Sequence, residues 1–600
     1  MSKLSIKHIV LTALFAFSAN LQSTTTAVTP PQKSTLQAFI LLADQYEKEW
    51  FETFPELGVF WGRTDVSQER FMDHSRHAIL AWQKREDDYL AALKQLDEKA
   101  LKGSTRFVTY QLLKQTLENS IAARICNTRL WDVNPMAGWH TVTTAVAEKQ
   151  LIGTNAYRTA ALKRWNTFPH VVDEELKNLK EGVRQGYTAP KPAVLRVITQ
   201  VQYILQSKIE DSPYYDFARR DDDPLFKKQV KQLIQTVINP SLQRYVNYLK
   251  NDYLPIARTE IGVSALPNGL ACYQAKLKET TTLDLSANEI YDYGLQHLVE
   301  INQEVHKIGK KMFGMENMSD IFQEAKHRKA YFFSSEKSIL DYDFAALNRV
   351  KAKLPAWFGV LPKAEGTIKP YPAYQAKTGA GGEYIPPSLD GTRPGIFYIN
   401  TDNPTQKSRV DQEATLFHEL IPGHHFQIAL SYEQSDHHSL DKYLWNSGFG
   451  EGWALYAERV ADEMGVYSDD ISRLGMLSND ALRSARLVID PGIHVKHWTR
   501  EKAVSYLKQH TTMSDSIIEG EIDRYIMNPG QATSYLLGKR QIETLRQLAE
   551  TQLKDNFDIR IFHDQVLKNG TVTLPMLAEQ IHEWLANVKR RSPLPLAGEG

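Results

Sequence analysis

The sequence predicts a mainly α-helical protein with a small β-sheet in its second half. From Ser34 to about Leu361, most windows place apolar residues three and four positions apart, which is typical of amphipathic helices. Residues 225–249 are a long example of this pattern. Because the sequence shows neither an internal repeat nor a long flexible linker, we expect a single domain over residues 34–588.

The helical pattern is interrupted once. Residues 371–390 are rich in Pro, Gly and Tyr, and the segment GIFYIN at residues 395–400 predicts a short strand. Helical periodicity resumes at Gln412, with loops expected at residues 446–450 and 528–531. We therefore expect a small sheet directly before a second group of helices.

Both ends of the chain differ from the predicted domain. Lys3 and Lys7 precede the apolar run 9–19, and residues 1–27 have the pattern of a signal peptide cleaved near Ala19 or Ala27. The run is short for a membrane span, and no lipobox cysteine follows it, so we expect a periplasmic or secreted protein with no span after cleavage. Residues 590–600 lack periodicity and are expected to form a disordered tail.

Composition narrows the class of partner. The chain has 71 Lys and Arg against 71 Asp and Glu, so no long-range field favours nucleic acid or an anionic membrane. Small or peptide-like substrates fit this balance better. Cys126 and Cys272 are the two cysteines, which allows at most one disulfide and makes cysteine chemistry an unlikely basis for function.

The segment ATLFHELIPGHHFQ, residues 414–427, carries the strongest chemical signal. His418 and Glu419 begin like the H-E-x-x-H pattern, in which two histidines one helical turn apart share a zinc ion and the glutamate acts as the base. Pro422 occupies the place of the second histidine. His424 and His425 are the available replacements.

Helix geometry discriminates between these two histidines. In a regular helix His424 would lie about 120° around the axis from His418, and His425 would lie about 10 Å along it. Neither position suits zinc, whose bonds to nitrogen are about 2.1 Å long. Pro422 lacks an amide donor and Gly423 permits unusual backbone angles, so a two-residue bulge could return His424 to the ligand position. Geometry favours His424 and leaves His425 open, and a plain helix end would leave both as loop or packing residues.

A second segment, residues 446–458 (NSGFGEGWALYAE), supplies carboxylates. A helix starting near Glu451 would place Glu451 and Glu458 on one face, seven residues apart. A catalytic zinc site needs a third ligand and a carboxylate that orients its histidines, with one position open for water. We assign Glu451 to the first role and Glu458 to the second. The alternative is that Glu451 stabilises its helix N-terminus and Glu458 forms a surface ion pair.

These motifs resemble the bacterial DUF885 family, whose H-E-x-x-P-G-H pattern matches residues 418–424 as they stand. The resemblance covers nearly the whole mature chain. It includes the segments Phe54-Pro55-Glu56, Leu266-Pro267-Asn268-Gly269, Thr280-Thr281-Thr282, Gly391-Thr392-Arg393-Pro394-Gly395, Glu451-Gly452-Trp453, Asp490-Pro491-Gly492-Ile493-His494 and Pro529-Gly530-Gln531 with Tyr535. The family is grouped with gluzincin-type zinc peptidases and is distantly similar to helical oligopeptidases and carboxypeptidases. The resemblance implies a large helical fold with a central cleft and the sheet beside the metal-site helix.

The resemblance also implies a mechanism. Zn²⁺ held by His418, His424 and Glu451 would activate a water molecule and polarise a peptide carbonyl. Glu419 would take the proton from that water and pass it to the leaving amine.

An oxyanion donor besides zinc is expected, because related helical peptidases place a downstream tyrosine over the site. The candidates are Tyr535, Tyr525 and His494. For the tyrosines, the alternative is a core residue with its hydroxyl at the surface.

Substrate-binding residues are expected near the predicted strand. In zinc peptidases of this type an edge strand pairs with the substrate backbone, and the segment that carries Tyr398 and Asn400 stands at the corresponding place. Arg393 could bind a substrate carboxylate or brace its loop through a salt bridge. His425 is expected to support the metal ligands from behind, together with Glu458.

We therefore expect a zinc-dependent hydrolase of peptide bonds in short peptides of the cell envelope, of oligopeptidase or carboxypeptidase type. The alternatives are a metal-dependent amidase acting on non-peptide or cell-wall amides, and an inactive binding protein on the same fold. Glu419 argues against the last alternative, because a binding protein needs no base.

Overall fold

A computed structural model describes residues 34–371, 382–389, 391–434 and 436–591. The predicted signal peptide and residues 592–600 of the predicted tail lie outside these ranges. The tail was predicted from residue 590, but the last helix continues to Arg591. The structure is 71% helical, which confirms the mainly α-helical prediction. No helix in the described part of the chain is both long and apolar enough to cross a membrane.

Sixteen α-helices of the described residues precede the sheet. They are α1 Thr35–Thr53, α2 Pro55–Phe60, α3 Arg76–Lys94, α4 Glu98–Leu101, α5 Arg106–Ala123, α6 Trp139–Lys149, α7 Asn155–Asn166, α8 Phe168–Arg184, α9 Lys191–Gln206, α10 Asp216–Arg219, α11 Pro224–Leu233, α12 Asn239–Tyr248, α13 Gly269–Thr281, α14 Ala287–Phe313, α15 Met318–His327 and α16 Glu336–Lys353. A π-helical turn, Ile234–Ile238, joins α11 to α12, so the long helical pattern predicted at residues 225–249 is confirmed.

Nine α-helices of the described residues follow the sheet. They are α17 Gln412–Glu419, α18 His424–Tyr432, α19 Ser447–Glu463, α20 Asp470–His494, α21 Arg500–Gln509, α22 Asp515–Met527, α23 Ser534–Leu553, α24 Ile559–Leu567 and α25 Leu574–Arg591. The predicted resumption at Gln412 is confirmed. The loop predicted at residues 446–450 is wrong: the Asn446 side chain accepts the Phe449 amide, and the helix starts four residues before Glu451.

The sheet has three strands, β1 Gly366–Pro370, β2 Gly382–Ile385 and β3 Gly395–Ile399, in the order β1-β3-β2. β3 pairs in parallel with β1 and antiparallel with β2. The predicted strand at residues 395–400 is therefore present but central. Its expected role as the edge strand is wrong, because both of its sides are occupied by neighbouring strands.

The buried apolar residues form three clusters. The first lies between the sheet and the helices around α17, α18, α19 and α23, the second surrounds α14 and α20, and the third lies among α6 to α12. α19 serves the first two clusters at once, since Trp453 belongs to one and Leu455 to the other. The helix that carries Glu451 and Glu458 is therefore buried on most of its surface.

α19 and α23 contact each other at glycine residues. A Cβ atom on Gly452 would lie 2.5 Å from the backbone of Gly538, and one on Gly538 would lie 1.8 Å from the Gly448 carbonyl oxygen. The two backbones are thus in direct contact, which no larger residue would permit. α19 therefore approaches α23 most closely next to Glu451, the neighbour of Gly452.

Two further links connect distant parts of the chain. Cys126 and Cys272 form a disulfide between α13 and the 3-10 turn that follows α5, within the limit of one bridge set by the sequence. Lys539 of α23 donates to both carboxylate oxygens of Asp480 of α20 at 2.7 Å, and both side chains are almost fully buried.

Candidate metal centre

The helix is interrupted between α17 and α18. α17 ends at Glu419, and α18 starts at His424. Gly423 packs against the end of α17, where a Cβ atom would lie 1.9 Å from the His418 carbonyl oxygen. The indole Nε1 of Trp453 donates to the Pro422 carbonyl at 2.9 Å and ties the break to α19. The two-residue bulge that we predicted is therefore a complete break between two helices.

This break brings His418 and His424 together. Their ring centroids are 4.8 Å apart and the rings are nearly perpendicular. Glu451 Oε2 lies 3.6 Å from His418 Nε2 and 3.4 Å from His424 Nε2. The three ligand atoms lie within 4.8 Å of one another, so the structure forms the predicted group of His418, His424 and Glu451.

The two distances from Glu451 to the histidine nitrogens fit a zinc site. Ligand atoms placed tetrahedrally at about 2.05 Å from an ion lie about 3.4 Å from one another. The two nitrogen-to-oxygen distances above are within about 0.2 Å of that value. Two imidazoles and one carboxylate are also a ligand set that zinc accepts with a fourth position open.

Glu458 orients His418 from the far side. Its Oε1 lies 2.8 Å from His418 Nδ1, and its Oε2 accepts the Asn479 side-chain amide at 3.2 Å. A carboxylate on Nδ1 makes that nitrogen a donor, which leaves Nε2, the nitrogen that faces Glu451, as the atom that can bind a metal ion once it has lost its proton. The structure thus places Glu458 where we predicted it.

The charges of the group are strongly coupled. Burial lowers the pKa of His418, but hydrogen bonds to Glu451 and Glu458 outweigh burial and raise this pKa to about 9. Burial raises the pKa of Glu451, but His424 and His418 hold it well below its usual range. In the absence of a metal, the proton therefore stays on the histidine side. A divalent cation would take the place of that positive charge.

His424 and His425 point in different directions. His424 Nδ1 is buried without a hydrogen-bond partner among the described residues, so its ring lacks the support that His418 has. His425 Nε2 donates to the Ala364 carbonyl at 3.0 Å, and its Nδ1 accepts from the Tyr384 hydroxyl at 2.9 Å. Burial lowers the pKa of His425 to about 4. In the structure His424 belongs to the group, whereas His425 joins α18 to the sheet and does not support the ligands as we expected.

Glu419 follows His418 directly and is half-buried. No described residue forms a hydrogen bond or an ion pair with its carboxylate. Burial is the main cause that raises the pKa values of Tyr371 and Tyr384, and the negative charge of Glu419 adds to both. Glu419 therefore lies near β2, and its carboxylate is unengaged by the residues that the structure describes.

Of the three predicted oxyanion donors, Tyr535 lies beside the group. Its ring centroid is 6.5 Å from that of His418, and the two rings are nearly parallel. Its hydroxyl is 3.5 Å from the Gln531 side-chain amide.

The other two donors are engaged elsewhere. The Tyr525 hydroxyl donates to Glu521 at 2.7 Å and accepts from Arg486 at 2.8 Å. His494 accepts the Val263 amide with Nδ1 and donates to the Tyr525 carbonyl with Nε2. Burial lowers the pKa of His494 to about 3, so it is a neutral structural histidine. Because their polar atoms are used, neither side chain fits the predicted role.

The three predicted substrate-binding residues have structural contacts. Arg393 donates to the carbonyls of Pro394 and Pro386, so it braces its loop through backbone oxygens, and no described carboxylate forms the salt bridge that we considered. Tyr398 stacks on Tyr371 at 5.7 Å. Asn400 accepts the amide of Asp402 in the turn after β3. With β3 central, the strand near Glu419 with one unpaired side in the described sheet is β2.

Sequence reasoning missed Arg483 and Arg486. They lie one turn apart on α20, and their guanidinium carbons lie 5.7 and 4.5 Å from the centroid of the Tyr535 ring. A signal was available, since two arginines three residues apart stand in the otherwise small and apolar segment ALRSARLVI. Charged residues at such positions are seldom buried without a partner.

Comparisons with known proteins give a family but no activity. No curated protein sequence matches this chain. A provisionally assigned lipoprotein from Colwellia psychrerythraea is 25% identical, with a TM-score of 0.86 over 92% of this chain and 100% of that one. A provisionally assigned lipoprotein of unknown function from Shewanella oneidensis is 17% identical, with a TM-score of 0.73 over the same shares, which shows a common fold. Residues 55–581 match the family described as "Bacterial protein of unknown function (DUF885)", and the chain therefore belongs to the DUF885 family.

Proposed function

We propose that this protein is a zinc-dependent hydrolase that cleaves peptide bonds in short peptides. The observation that carries the proposal is the convergence of His418, His424 and Glu451 at zinc-like spacing, next to a glutamate that no described residue engages. Zinc in such a site supplies Lewis-acid activation of water and of a substrate carbonyl.

Each of this chain's own residues then has one task. Glu458 fixes the His418 ring through Nδ1 and keeps Nε2 available as a ligand. Glu419 takes a proton from the attacking water and returns it to the leaving amine. Tyr535 is the remaining candidate to donate a hydrogen bond to the oxyanion, because Tyr525 and His494 are engaged elsewhere.

The proposed location is the cell envelope. The apolar run near the N-terminus has the pattern of a signal peptide, and the chain holds a disulfide, which persists in oxidising compartments. The two similar structures are described as lipoproteins, a class of extracytoplasmic proteins.

The test is digestion of a defined mixture of short peptides, read by mass spectrometry. We expect the wild type with one equivalent of zinc to cleave peptides, and Glu419→Gln to keep its zinc while turnover falls by about 10²–10⁴-fold. Zinc content measured on the same samples is the control that separates a lost base from a lost metal. Peptides left intact by a zinc-loaded wild type would contradict the proposal, as would full activity of Glu419→Gln.

A further inference from the structure

Arg483 is a buried cation with no ion-pair partner among the described residues. Its side chain is on α20 and the residue is 9% exposed, yet no described carboxylate lies within ion-pair distance of it. Its Nε has no hydrogen-bond partner, and its Nη1 has a 3.4 Å contact with the Asn479 carbonyl. Burying an unpaired guanidinium is strongly unfavourable, so this position calls for an anion that the described residues do not supply.

Two other buried arginines have more partners than Arg483. Arg164 is fully buried, but it donates to the Gln150 side chain and to two backbone carbonyls. Arg486 pairs with Glu521 and donates to the Tyr525 hydroxyl. Compared with these two, Arg483 has a charge of the same kind and almost none of the partners.

Arg486 adds a second unused donor at the same place. Its Nη1 is buried without a hydrogen-bond partner among the described residues, although its other two nitrogens are engaged. Arg524 also bonds to Glu521. Arg486 and Arg524 thus share a single carboxylate, Glu521, which also accepts a hydrogen bond from Tyr525. Arg483 and its neighbours Arg486 and Arg524 therefore have one carboxylate within ion-pair distance between them among the described residues.

Arg483 and Arg486, which we call the arginine site, lie beside the candidate metal centre. The Tyr535 ring is nearly parallel to the His418 ring at 6.5 Å, and Arg483 and Arg486 lie 5.7 and 4.5 Å from the same tyrosine ring. The Arg483 guanidinium is therefore at most about 12 Å from the His418 ring, through distances that meet at Tyr535. Burial raises the pKa of the Asp411 carboxyl and the charge of Arg483 opposes this, so Asp411 is an acidic neighbour that lies beyond ion-pair distance of the guanidinium.

We propose that Arg483, together with the unused Nη1 of Arg486, binds a carboxylate of the peptide substrate and so sets where the peptide is cut. This inference rests on the proposed peptidase function. At about 3.5 Å per residue, the distance limit corresponds to one to three residues between the carboxylate and the scissile bond. The free C-terminus of a peptide and an acidic side chain near the cut carry the same chemistry. We expect the C-terminus to be the main source, because every short peptide has one.

A matched substrate pair tests the source. We expect a short peptide with a free C-terminus to be cleaved one to three residues from that end. Its C-terminal amide is expected to lose roughly 10- to 100-fold in kcat/KM, mainly through KM, since one or two charge-assisted hydrogen bonds are lost. A third peptide, amidated but with Asp near the cut, reports whether an acidic side chain can replace the terminus.

A matched variant pair tests the residue. Arg483→Met is expected to lower kcat/KM for the free acid to the level of the amide, and Arg483→Lys to restore part of the difference. Arg540→Met, which removes an exposed arginine on α23, is the control for loss of charge and is expected to keep the full preference. Thermal unfolding and zinc content of each variant exclude misfolding and metal loss as causes.

Binding separates this inference from the proposed function. Calorimetric titration of zinc-loaded Glu419→Gln with the same three peptides requires no turnover. Tighter binding of the free acid that is lost in Glu419→Gln/Arg483→Met would support carboxylate binding at the arginine site even if no peptide were cleaved. A preference for the Asp peptide that depends on Arg483 would support the same site, with an acidic side chain as the source of the carboxylate. Equal affinity for all three peptides, or a preference that survives Arg483→Met and Arg483→Lys, would overturn the inference.

Discussion

Two buried histidines of the second helical group, His418 and His494, show opposite arrangements. His418 gives Nδ1 to the Glu458 carboxylate and keeps Nε2 directed at Glu451. His494 uses both nitrogens on backbone groups, the Val263 amide and the Tyr525 carbonyl. The first arrangement leaves Nε2 as a nitrogen that can bind a metal ion. The second leaves neither nitrogen available. Burial alone therefore does not identify a metal-binding histidine. The partners of both ring nitrogens have to be known.

The largest difference should appear in metal binding. His418→Ala is expected to weaken zinc binding by at least about 10³-fold, because one of three protein ligands is lost. His494→Gln is expected to bind zinc like the wild type and to unfold at a lower temperature. Zinc affinity, measured by competition with a chelator of known affinity, checks both. Similar zinc affinities in the two variants would contradict the comparison.

The carboxylate behind His418 should have the next largest effect. Glu458→Gln is expected to reduce zinc affinity about 10–100-fold, because the His418 ring loses the charge that orients it. Asp490→Asn is the matched control. Asp490 is a buried carboxylate that accepts a hydrogen bond from Tyr273, and among the described residues it forms no hydrogen bond with His418, His424 or Glu451. Equal zinc affinity in Glu458→Gln and wild type would show that Glu458 does not support the ligand.

The two histidines should also differ in how they couple stability to pH. Burial lowers the pKa of His494 to about 3, so between about pH 6.5 and pH 3 the unfolded chain binds a proton there that the folded one does not. Its contribution to stability is full above pH 6.5 and falls with pH by up to about 1.4 kcal/mol per unit. In the metal-free protein His418 has the opposite sign: its pKa is raised to about 9, so its contribution is full below pH 6.5 and is lost as pH rises through 9.

Urea unfolding of the metal-free wild type and His494→Gln between pH 4 and pH 9 measures this coupling. We expect the variant to lose about 1–3 kcal/mol at neutral pH, because the Val263 amide and the Tyr525 carbonyl need new partners. The gap should narrow as the pH falls below 6.5. A gap that stays constant over this range would show that His494 is not held neutral.

The smallest effect is expected at the helix break. Trp453→Phe removes the N–H that bonds to the Pro422 carbonyl, and we expect a loss of about 1 kcal/mol in unfolding free energy and a few-fold weaker zinc binding. Trp165→Phe is the control, because the buried Nε1 of Trp165 has no partner among the described residues. Thermal unfolding and zinc competition of both variants measure the difference, and equal losses would rule out a role of this hydrogen bond at the break.

The parts of the fold that depend on local pattern could be predicted from the sequence. Periodicity located the helical regions and the start of α17 at Gln412, and the backbone chemistry of Pro422 and Gly423 predicted an irregular segment that favours His424 over His425. The seven-residue spacing of Glu451 and Glu458 was also sufficient to place both on one face of a helix.

The remaining features depend on contacts between distant segments. β3 became central because β1 and β2 pair on both sides of it, and no local pattern specifies those partners. Tyr525 was predicted from a resemblance, but its hydroxyl is taken by Arg486 and Glu521. Arg483 was missed because an arginine is recognised as unpaired when all of its neighbours are known.

The measurement that most directly tests the account is zinc stoichiometry in His424→Ala and His425→Ala beside the wild type, after dialysis against one equivalent of zinc. The account predicts about one zinc per chain in the wild type and in His425→Ala, and close to none in His424→Ala. A wild type without zinc, or zinc lost in His425→Ala but kept in His424→Ala, would contradict the metal centre described above.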